Sequence, residues 1–340
     1  LCPGSTLNRY KGDIMHRQLI VFTLGLSLGS TAVAQSYIPS TPSWLYGPGK
    51  AVEVESGLFH NCVLTDCGSI ECSGSSWYGQ ITPPSGNDFI DMAAGGYHSC
   101  GLHFDGTAEC WGANWYGQAS PPSTRFVSIE AGWYHTCGAT SAGVLECWGK
   151  VPGRPSASVH DGVMAAGADA TCAVNIHGML SCEGTGNRID TDQPWYSQNV
   201  TRFDKVEVSY EHGCAIANGY MTCWGGDTYG QISGGPSYTK RASHMYDISG
   251  SNWDDVDTGP WHTCGIDGGS LDCWGADWYG QATPPSGSYS DVSSGYFHSC
   301  AIASDGSVDC WGDSYYSQTD LPDLSATCPV IKSKSWPSGW

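Results

Sequence analysis

The spacing of the cysteines is the strongest constraint on the fold of this chain. Fourteen of them form seven pairs whose members lie nine or ten positions apart. The ten-residue pairs enclose a three-residue centre ending in glycine, whereas the nine-residue pairs enclose Asn218-Gly219 and Gly268-Gly269. These are the residues that three-residue bulged hairpins and two-residue hairpins respectively require. Either loop places the two cysteines opposite each other at a non-hydrogen-bonded pair, where side chains approach most closely. We therefore predict seven cross-strand disulfides: Cys62 with Cys72, Cys100 with Cys110, Cys137 with Cys147, Cys172 with Cys182, Cys214 with Cys223, Cys264 with Cys273, and Cys300 with Cys310.

Zinc is the alternative ligand for paired cysteines. Zinc sites favour two cysteines separated by only a few residues, with a second such pair nearby. The eight or nine residues inside each pair of this chain do not fit that pattern. The sequence thus favours disulfides and predicts neither a metal site nor a cofactor.

The hairpins recur with a period near forty. Their first cysteines stand at positions 62, 100, 137, 172, 214, 264 and 300. Several short strands in each of seven such units indicate an all-β fold, a seven-bladed β-propeller with one cross-strand disulfide in each blade. Residues 126–132 alternate like a first strand, the cysteine hairpin supplies two more, and the segment around Trp-Tyr-Gly-Gln is expected to be a fourth, outer strand.

The N-terminal region predicts export. Met15 begins a stretch with an apolar core at residues 19–28 and a small-residue cleavage pattern at 32–34, and this core is too short to span a bilayer. We expect upstream translated sequence at 1–14, a signal peptide at 15–34, a linker at 35–50, the propeller at 51–328 and a tail at 329–340. The sixteen cysteines that follow the signal favour an oxidising compartment. The predicted location is secreted, extracellular or periplasmic.

The net charge of −19 excludes some partner classes. Such an acidic chain repels nucleic acid and anionic membranes and favours solubility. We expect a monomer with no membrane span that does not bind nucleic acid.

Residues 96–118, GYHSCGLHFDGTAECWGANWYGQ, resemble the regulator-of-chromosome-condensation repeat. The similarity extends over residues 51–318 and implies a seven-bladed propeller. The cysteine-rich form is similar to exported members of this superfamily, of the secreted β-lactamase-inhibitor type. The chain departs from the repeat at Ser73 and Glu183, where tryptophan is usual, and at Ala170, where histidine is usual.

Two recurring side chains have structural explanations. A tryptophan follows the second cysteine in five units, on the opposite face of the strand from the disulfide, and we expect it to pack between blades: Trp111, Trp148, Trp224, Trp274 and Trp311. A histidine two residues before the first cysteine could instead belong to a ring of metal ligands. The resemblance implies that it hydrogen-bonds to backbone across blades; the histidines are His60, His98, His135, His212, His262 and His298.

Two cysteines, Cys67 and Cys328, lie outside the seven pairs. Cys67 is in the hairpin loop of the first unit, and Cys328 follows the last unit. A bond between them would lock the ring, and the long loop that it closes should add more stability than a local bridge.

The candidate binding residues are paired aromatics. Exposed Trp and Tyr side chains anchor protein partners and stack on sugars; the pairs are Trp77-Tyr78, Trp115-Tyr116, Trp195-Tyr196 and Trp278-Tyr279, with Tyr315-Tyr316 as a variant. Residues 232–256 read as an irregular insert that contains a basic patch with Lys240 and Arg241, a natural recognition site. The acidic residues Asp254, Asp255 and Asp257 read as a solvated insert, without the spacing of a calcium loop.

The sequence contains no catalytic motif such as Gly-x-Ser-x-Gly or His-Glu-x-x-His. The leading hypothesis is an exported, non-catalytic module that binds a protein partner through a propeller face. A second hypothesis is a lectin-like protein that binds cell-surface glycans through the Trp-Tyr pairs. A third is a hydrolase with acidic residues at the propeller axis.

Overall fold

The structure is a computed structural model that describes residues 49–153, 159–184, 202–236, 238–242, 245–248, 252–321 and 324. Its strands form seven antiparallel sheets, which are the seven blades of an all-β propeller, as the sequence predicts. The expected signal peptide at 15–34, the segments before it and after residue 328, and the pair Trp195-Tyr196 lie outside the described residues.

The strands follow one another around the ring in chain order. Blades one to three are β1 (Ala51–Ser56), β2 (His60–Thr65), β3 (Ile70–Gly74); β4 (Phe89–Ala94), β5 (His98–His103), β6 (Ala108–Gly112); and β7 (Ser128–Ala131), β8 (His135–Ala139), β9 (Leu145–Gly149). Blades four and five are β10 (Val159–Ala166), β11 (Ala170–Asn175), β12 (Leu180–Gly184); and β13 (Lys205–Val208), β14 (His212–Ala217), β15 (Tyr220–Gly225), β16 (Tyr238–Ala242), β17 (Met245–Ile248). Blades six and seven are β18 (Trp253–Thr258), β19 (His262–Asp267), β20 (Ser270–Gly275); and β21 (Tyr289–Ser294), β22 (His298–Ala303), β23 (Val308–Gly312).

The cysteine hairpins have the predicted register. Both residues of the two-residue turns, such as Asn218 at φ 51° and Gly219 at φ 77°, have positive φ, and so does the third loop residue of the longer hairpins, such as Gly106 at φ 85°. Cys100 stands directly opposite Cys110. Local turn chemistry therefore sets the register that allows one disulfide in each blade.

All seven predicted disulfides are present, and in each the two Cα atoms are 4.0–4.1 Å apart. The ten-residue hairpins join Cys62 to Cys72, Cys100 to Cys110, Cys137 to Cys147, Cys172 to Cys182, and Cys300 to Cys310. The nine-residue hairpins join Cys214 to Cys223, and Cys264 to Cys273. The prediction of one cross-strand bridge in each blade is therefore confirmed for every pair.

The prediction of a fourth, outer strand at Trp-Tyr-Gly-Gln is wrong. Residues 115–119 form a turn, as do the equivalent residues of the other blades that the structure describes. Gln118 causes the turn, because its buried side-chain Oε1 accepts a 2.8 Å hydrogen bond from the backbone N–H of Tyr116. Six of the sheets consequently have three strands.

Blade five differs because it contains an insert. The stretch at 232–256, expected to be irregular, contains β16 and β17, and β17 pairs antiparallel with β15. Lys240 and Arg241 therefore lie on β16, the outermost strand of this five-stranded sheet.

The tryptophans pack between blades, as expected. Trp111 Nε1 donates a 2.8 Å hydrogen bond to the backbone carbonyl of Gln80, which lies in the turn after the third strand of the previous blade. Trp148, Trp274 and Trp311 donate in the same way to Gln118, Gln231 and Gln281. Trp224 is completely buried in the core of blades four and five.

The six histidines also bridge neighbouring blades, but their partners are side chains rather than the backbone that the resemblance implied. His98 Nε2 lies 2.8 Å from Thr136 Oγ1, and that hydroxyl donates to the carbonyl of Gln118. The partners of the other five are Ser99, Thr171, Thr263, Ser299 and Asn61. Burial lowers the pKa of every one of these imidazoles, to about 3 or about 4. They are therefore neutral and structural.

The interpretation of Asp254, Asp255 and Asp257 as a solvated insert is wrong. They belong to β18, the inner strand of blade six, where Asp255 is buried and Asp257 is half-buried. The pattern misleads because an inner propeller strand can bury carboxylates that hydrogen-bond to the next blade.

Among the strands that the structure describes, none is exchanged between the sheets of blades seven and one, where the ring closes. The backbone N–H of Ala51 donates to the carbonyl of Gly306, and Val54 N–H donates to the Asp291 carboxylate. Cys67 is disulfide-bonded. Because Cys328 lies outside the described residues, the pairing of these two cysteines stays a prediction.

Candidate functional site: an aromatic face

Two sets of connections emerge on the same face of the ring. In each blade the first strand runs towards this face, the loop before the second strand crosses it, and the third strand returns to it. The loop residue before each interblade histidine and the Trp-Tyr turn after each third strand are therefore neighbours. The cysteine-hairpin loops, such as residues 104–106, lie on the opposite face.

Aromatic side chains from these connections form one continuous network of ring contacts, which we call the aromatic face. Its seventeen members are Phe59, Trp77, Tyr78, Tyr97, Trp115, Tyr116, Trp133, Tyr134, Tyr210, Tyr229, Trp261, Trp278, Tyr279, Tyr296, Phe297, Tyr315 and Tyr316.

The predicted Trp-Tyr pairs are the exposed part of this face. Trp77, Trp115 and Trp278 have 58%, 51% and 53% of their surface exposed, and Tyr78, Tyr116 and Tyr279 are exposed as well. The turn that presents them requires a positive φ, which Gly117 adopts at 86° and Ser317 adopts at 59° in blade seven. An added Cβ at Gly117 would meet no atom within 4 Å. That glycine is therefore explained by backbone conformation and not by crowding.

Most exposed rings rest against a ring from the next blade. Tyr78 contacts Tyr97 edge-on at 5.8 Å between centroids, and Tyr116 contacts Tyr134 at 5.6 Å. Burial and the neighbouring phenols raise the pKa of Tyr97. Burial, followed by the charges of Tyr116 and Asp169, raises the pKa of Tyr134. These phenols therefore stay uncharged around neutral pH.

Sequence reasoning missed the inner half of the aromatic face. The residue before the interblade histidine is aromatic in five blades: Phe59, Tyr97, Tyr134, Trp261 and Phe297. This recurrence is visible in the sequence and could have identified them. Trp133, Tyr210 and Tyr296, one position earlier in their loops, follow no such regular pattern.

The axis contains a second group of polar side chains. Four of them stand opposite the first cysteine of their blade: Glu55, Glu130, Glu207 and Asp257. The other three blades have Ala93, Ala165 and Ser293 at this position. The four carboxylates line a cavity of about 70 Å³. Among the described residues, no group of three or more His, Cys, Asp or Glu side chains is arranged to hold a metal ion.

Two carboxylates of the inner strand β18 join neighbouring blades. Asp257 accepts a 2.6 Å hydrogen bond from the backbone N–H of Ser294, and Asp255 accepts one of 2.9 Å from Val292. Asp255 also pairs with the ammonium of Lys205. Burial and the charge of Glu55 raise the pKa of Asp257 to about 6. These contacts give Asp255 and Asp257 a structural role.

Comparison with known proteins identifies the repeat. The family model of the regulator of chromosome condensation (RCC1) repeat matches residues 89–118 and 289–318, in blades two and seven. These two blades therefore contain RCC1 repeats. No curated protein matches its sequence significantly.

Solved propeller structures share the fold of this chain. The CRINKLY WD40 ectodomain of the Arabidopsis thaliana receptor kinase ACR4 superimposes with a TM-score of 0.61 at 22% identity, covering 82% of this chain and all of that one. The ectodomain of the Physcomitrella patens receptor kinase CR4 gives 0.59 at 20% identity, covering 78% and 74%. Yeast RCC1 (Prp20), bound to Kap60, gives 0.59 at 13% identity, covering 87% of each chain. At these identities the likeness extends to the fold alone.

Proposed function

We propose that this RCC1-repeat propeller is an exported, non-catalytic module that binds a protein partner through the aromatic face. The observation that supports this most directly is the exposure of three tryptophans and their neighbouring tyrosines within one connected surface. Trp and Tyr are the residues on which protein–protein binding energy concentrates. Exposed aromatic patches of this kind mark interaction sites on soluble proteins.

The rigidity of the face supports the same proposal. Trp115 contacts both Tyr78 and Tyr97, so its ring is held by neighbours from two blades. A disulfide beneath each turn ties the second and third strands together. Side chains that are already ordered lose little conformational entropy when a partner binds, which strengthens binding.

The disulfides support export. Seven bridges, one in each blade, are stable in an oxidising compartment and are uncommon where glutathione keeps thiols reduced. Within the described residues, no helix is long and apolar enough to cross a membrane. Propellers that share this fold include a receptor-kinase ectodomain and yeast RCC1 (Prp20), which was seen with Kap60 bound.

A glycan is the second candidate ligand. The Trp-Tyr turns repeat in adjacent blades, and exposed indole rings stack well on sugar rings. Repeated weak sites around one ring would also favour a multivalent carbohydrate.

The test is capture of partners from cell-envelope and culture extracts with the purified, oxidised chain. Extracts are used untreated, protease-digested and glycosidase-digested. A face variant combines Trp77→Ser, Trp115→Ser and Trp278→Ser. Its matched control combines Phe104→Ser, Ile176→Ser and Tyr220→Ser, which removes three exposed apolar side chains from the hairpin-loop face.

We expect capture that protease abolishes, that the face variant loses and that the hairpin-loop control retains. Capture that survives protease but not glycosidase would support the lectin instead. Equal capture by the face variant and the wild-type chain would reject the aromatic face as the binding surface.

A further inference from the structure

One ring pair of the aromatic face already binds a cation from the chain itself. The ammonium of Lys150 lies 5.8 Å from the ring centroid of Tyr116 and 5.6 Å from that of Tyr134. These distances lie within the range of cation–π attraction, which tyrosine supports through the negative charge on its ring face. Lys150 follows β9, and its backbone N–H donates to the carbonyl of Tyr134.

The same ring pair recurs at four other blade boundaries. In each, the tyrosine of a turn contacts the aromatic residue before the next blade's histidine, at centroid distances of 5.0–5.8 Å: Tyr78 with Tyr97, Tyr229 with Trp261, Tyr279 with Phe297, and Tyr316 with Phe59.

None of these four pairs has a lysine in the position of Lys150. The equivalent residue at each boundary is the one whose backbone N–H donates to the carbonyl of the aromatic residue before the histidine, as Lys150 does to Tyr134. At the four other boundaries this residue is Ala113, Ala276, Asp313 or Ser75. These side chains are too short to cover the rings with a cation, and Asp313 is acidic. At these four ring pairs, the residue equivalent to Lys150 therefore supplies no cation.

The charge of the face favours a cation from outside. In blades four and five, the residue before the interblade histidine position is Asp169 or Glu211 instead of an aromatic residue. Both carboxylates thus belong to the same circle of loops as Tyr97 and Tyr134. The whole chain carries a net charge of −19, so it attracts basic surfaces at a distance.

We propose that the four ring pairs without a lysine bind lysine or arginine side chains of the partner, which therefore presents a basic surface. This inference rests on the proposed function, because it specifies the chemistry of the partner bound by the aromatic face. Lys150 provides an example of this contact within the molecule, because its ammonium lies against the ring pair Tyr116 and Tyr134. A cation of the partner would contact the other four ring pairs in the same way.

The probe is a synthetic peptide in which lysine alternates with glycine, compared with the same peptide after acetylation of every lysine. Binding is followed by titration at physiological salt. Tyr78→Leu/Tyr97→Leu and Tyr279→Leu/Phe297→Leu each remove a ring pair, whereas Tyr78→Phe/Tyr97→Phe keeps the rings. None of these substitutions alters the net charge of the protein. If the peptide bound only through the overall negative charge, all of these variants would therefore bind it as tightly as the wild-type chain.

Lys150→Ala tests the inference in the opposite direction, because it frees a fifth ring pair. Its control is Lys50→Ala, which removes the same charge from an exposed lysine at the hairpin-loop face. Near-ultraviolet circular dichroism of each variant checks that the propeller is intact. A second ring pair keeps the test valid if one Leu variant does not fold.

We expect each Leu pair to weaken binding of the lysine peptide by about fivefold, the Phe pair to leave it unchanged and acetylation to abolish it. Lys150→Ala should bind more tightly than Lys50→Ala. Equal binding by the Leu and wild-type chains would overturn the inference. If the aromatic face still captured a protein partner in that case, the proposed function would stand and only the basic character of the partner would be wrong.

Discussion

The Nε2 atom of His298 lies 2.6 Å from Oδ1 of Asn61, a residue 237 positions earlier in the chain. This buried hydrogen bond links blade seven to blade one. Asn61 in turn donates through Nδ2 to the carbonyl of Gln318. At other boundaries a serine or threonine hydroxyl bonds to the histidine and also donates to a glutamine carbonyl, as Thr136 does with His98 and Gln118. Asn61 makes both bonds where the ring closes.

The boundary between blades four and five lacks this bridge on both sides. Ala170 occupies the histidine position of blade four, and Gly213 occupies the hydroxyl position of blade five. The two departures compensate for each other, because a histidine without its acceptor would leave a buried polar atom unpaired. Trp224 fills part of the space, since its Cζ2 atom would lie 2.8 Å from a Cβ added at Gly213.

Removing the ring-closing amide should destabilise the fold. Asn61→Ala leaves His298 Nε2 and the Gln318 carbonyl without their partner, at a cost of about 1–3 kcal/mol in the free energy of unfolding. Asn61→Ser restores the group used at other boundaries and should recover most of that loss. Urea denaturation measures both, and an Asn61→Ala chain as stable as the wild type would contradict the role of this bond.

Adding a hydroxyl at Gly213 should destabilise the chain despite restoring the pattern of the repeat. The new Cβ would also lie 2.8 Å from Val208 Cγ1, so the side chains must shift. We expect Gly213→Ser to cost about 1–3 kcal/mol by overpacking, seen as a lower midpoint in urea. Gly117→Ser shows the cost of backbone strain without crowding, because its φ is 86°, its Cβ meets nothing and Ser317 occupies the equivalent place in blade seven. The explanation is wrong if Gly213→Ser unfolds at the same urea concentration as the wild-type chain.

Stability should fall as the pH falls below 6.5. The six buried imidazoles have folded-state pKa values of about 3 to about 4 against an ordinary value of 6.5. Between these limits the unfolded chain binds protons that the folded chain does not. Each such imidazole lowers the free energy of unfolding by about 1.4 kcal/mol per pH unit.

Asp257 acts in the opposite sense. Its folded-state pKa is raised from 3.8 to about 6, so between these values the folded chain binds a proton that the unfolded chain does not. Two carboxyls with raised pKa values, Asp257 and Glu71, oppose six imidazoles, and the net effect of acid is destabilising. Urea denaturation at pH 7, 6 and 5 tests this, and His98→Gln should reduce the slope by the contribution of one group. Stability that is constant over this range would refute the buried, neutral state of the histidines.

Peptide mapping of oxidised protein without reductant should yield a disulfide-linked peptide that contains Cys67 and Cys328. Cys67 is bonded, and the fourteen hairpin cysteines pair among themselves. Loss of this bond in Cys67→Ser/Cys328→Ser should cost more stability than loss of a hairpin bridge in Cys100→Ser/Cys110→Ser, because the closed loop is longer. Recovery of both cysteines as free thiols would refute the pairing.

Much of the fold was predictable because its signals are local. Each hairpin is determined by turn residues, such as Asn218-Gly219, that lie within a few positions of the cysteines they align. Seven copies then determine the number of blades, since no copy can bury both of its faces alone. The sequence indicates the Trp-Tyr turns as candidate binding residues for the same reason, because they repeat.

The sequence by itself determined the hairpin register, the disulfides and the seven blades, since those depend on neighbours in the chain. Only the tertiary structure decided that Asp255 is buried on the inner strand of blade six and that β17 extends blade five. It also decided that Tyr78 and Tyr97, from different blades, share one surface. These relationships depend on how each blade is rotated against the next. That rotation is set by packing between residues far apart in the sequence, where no turn or spacing records it.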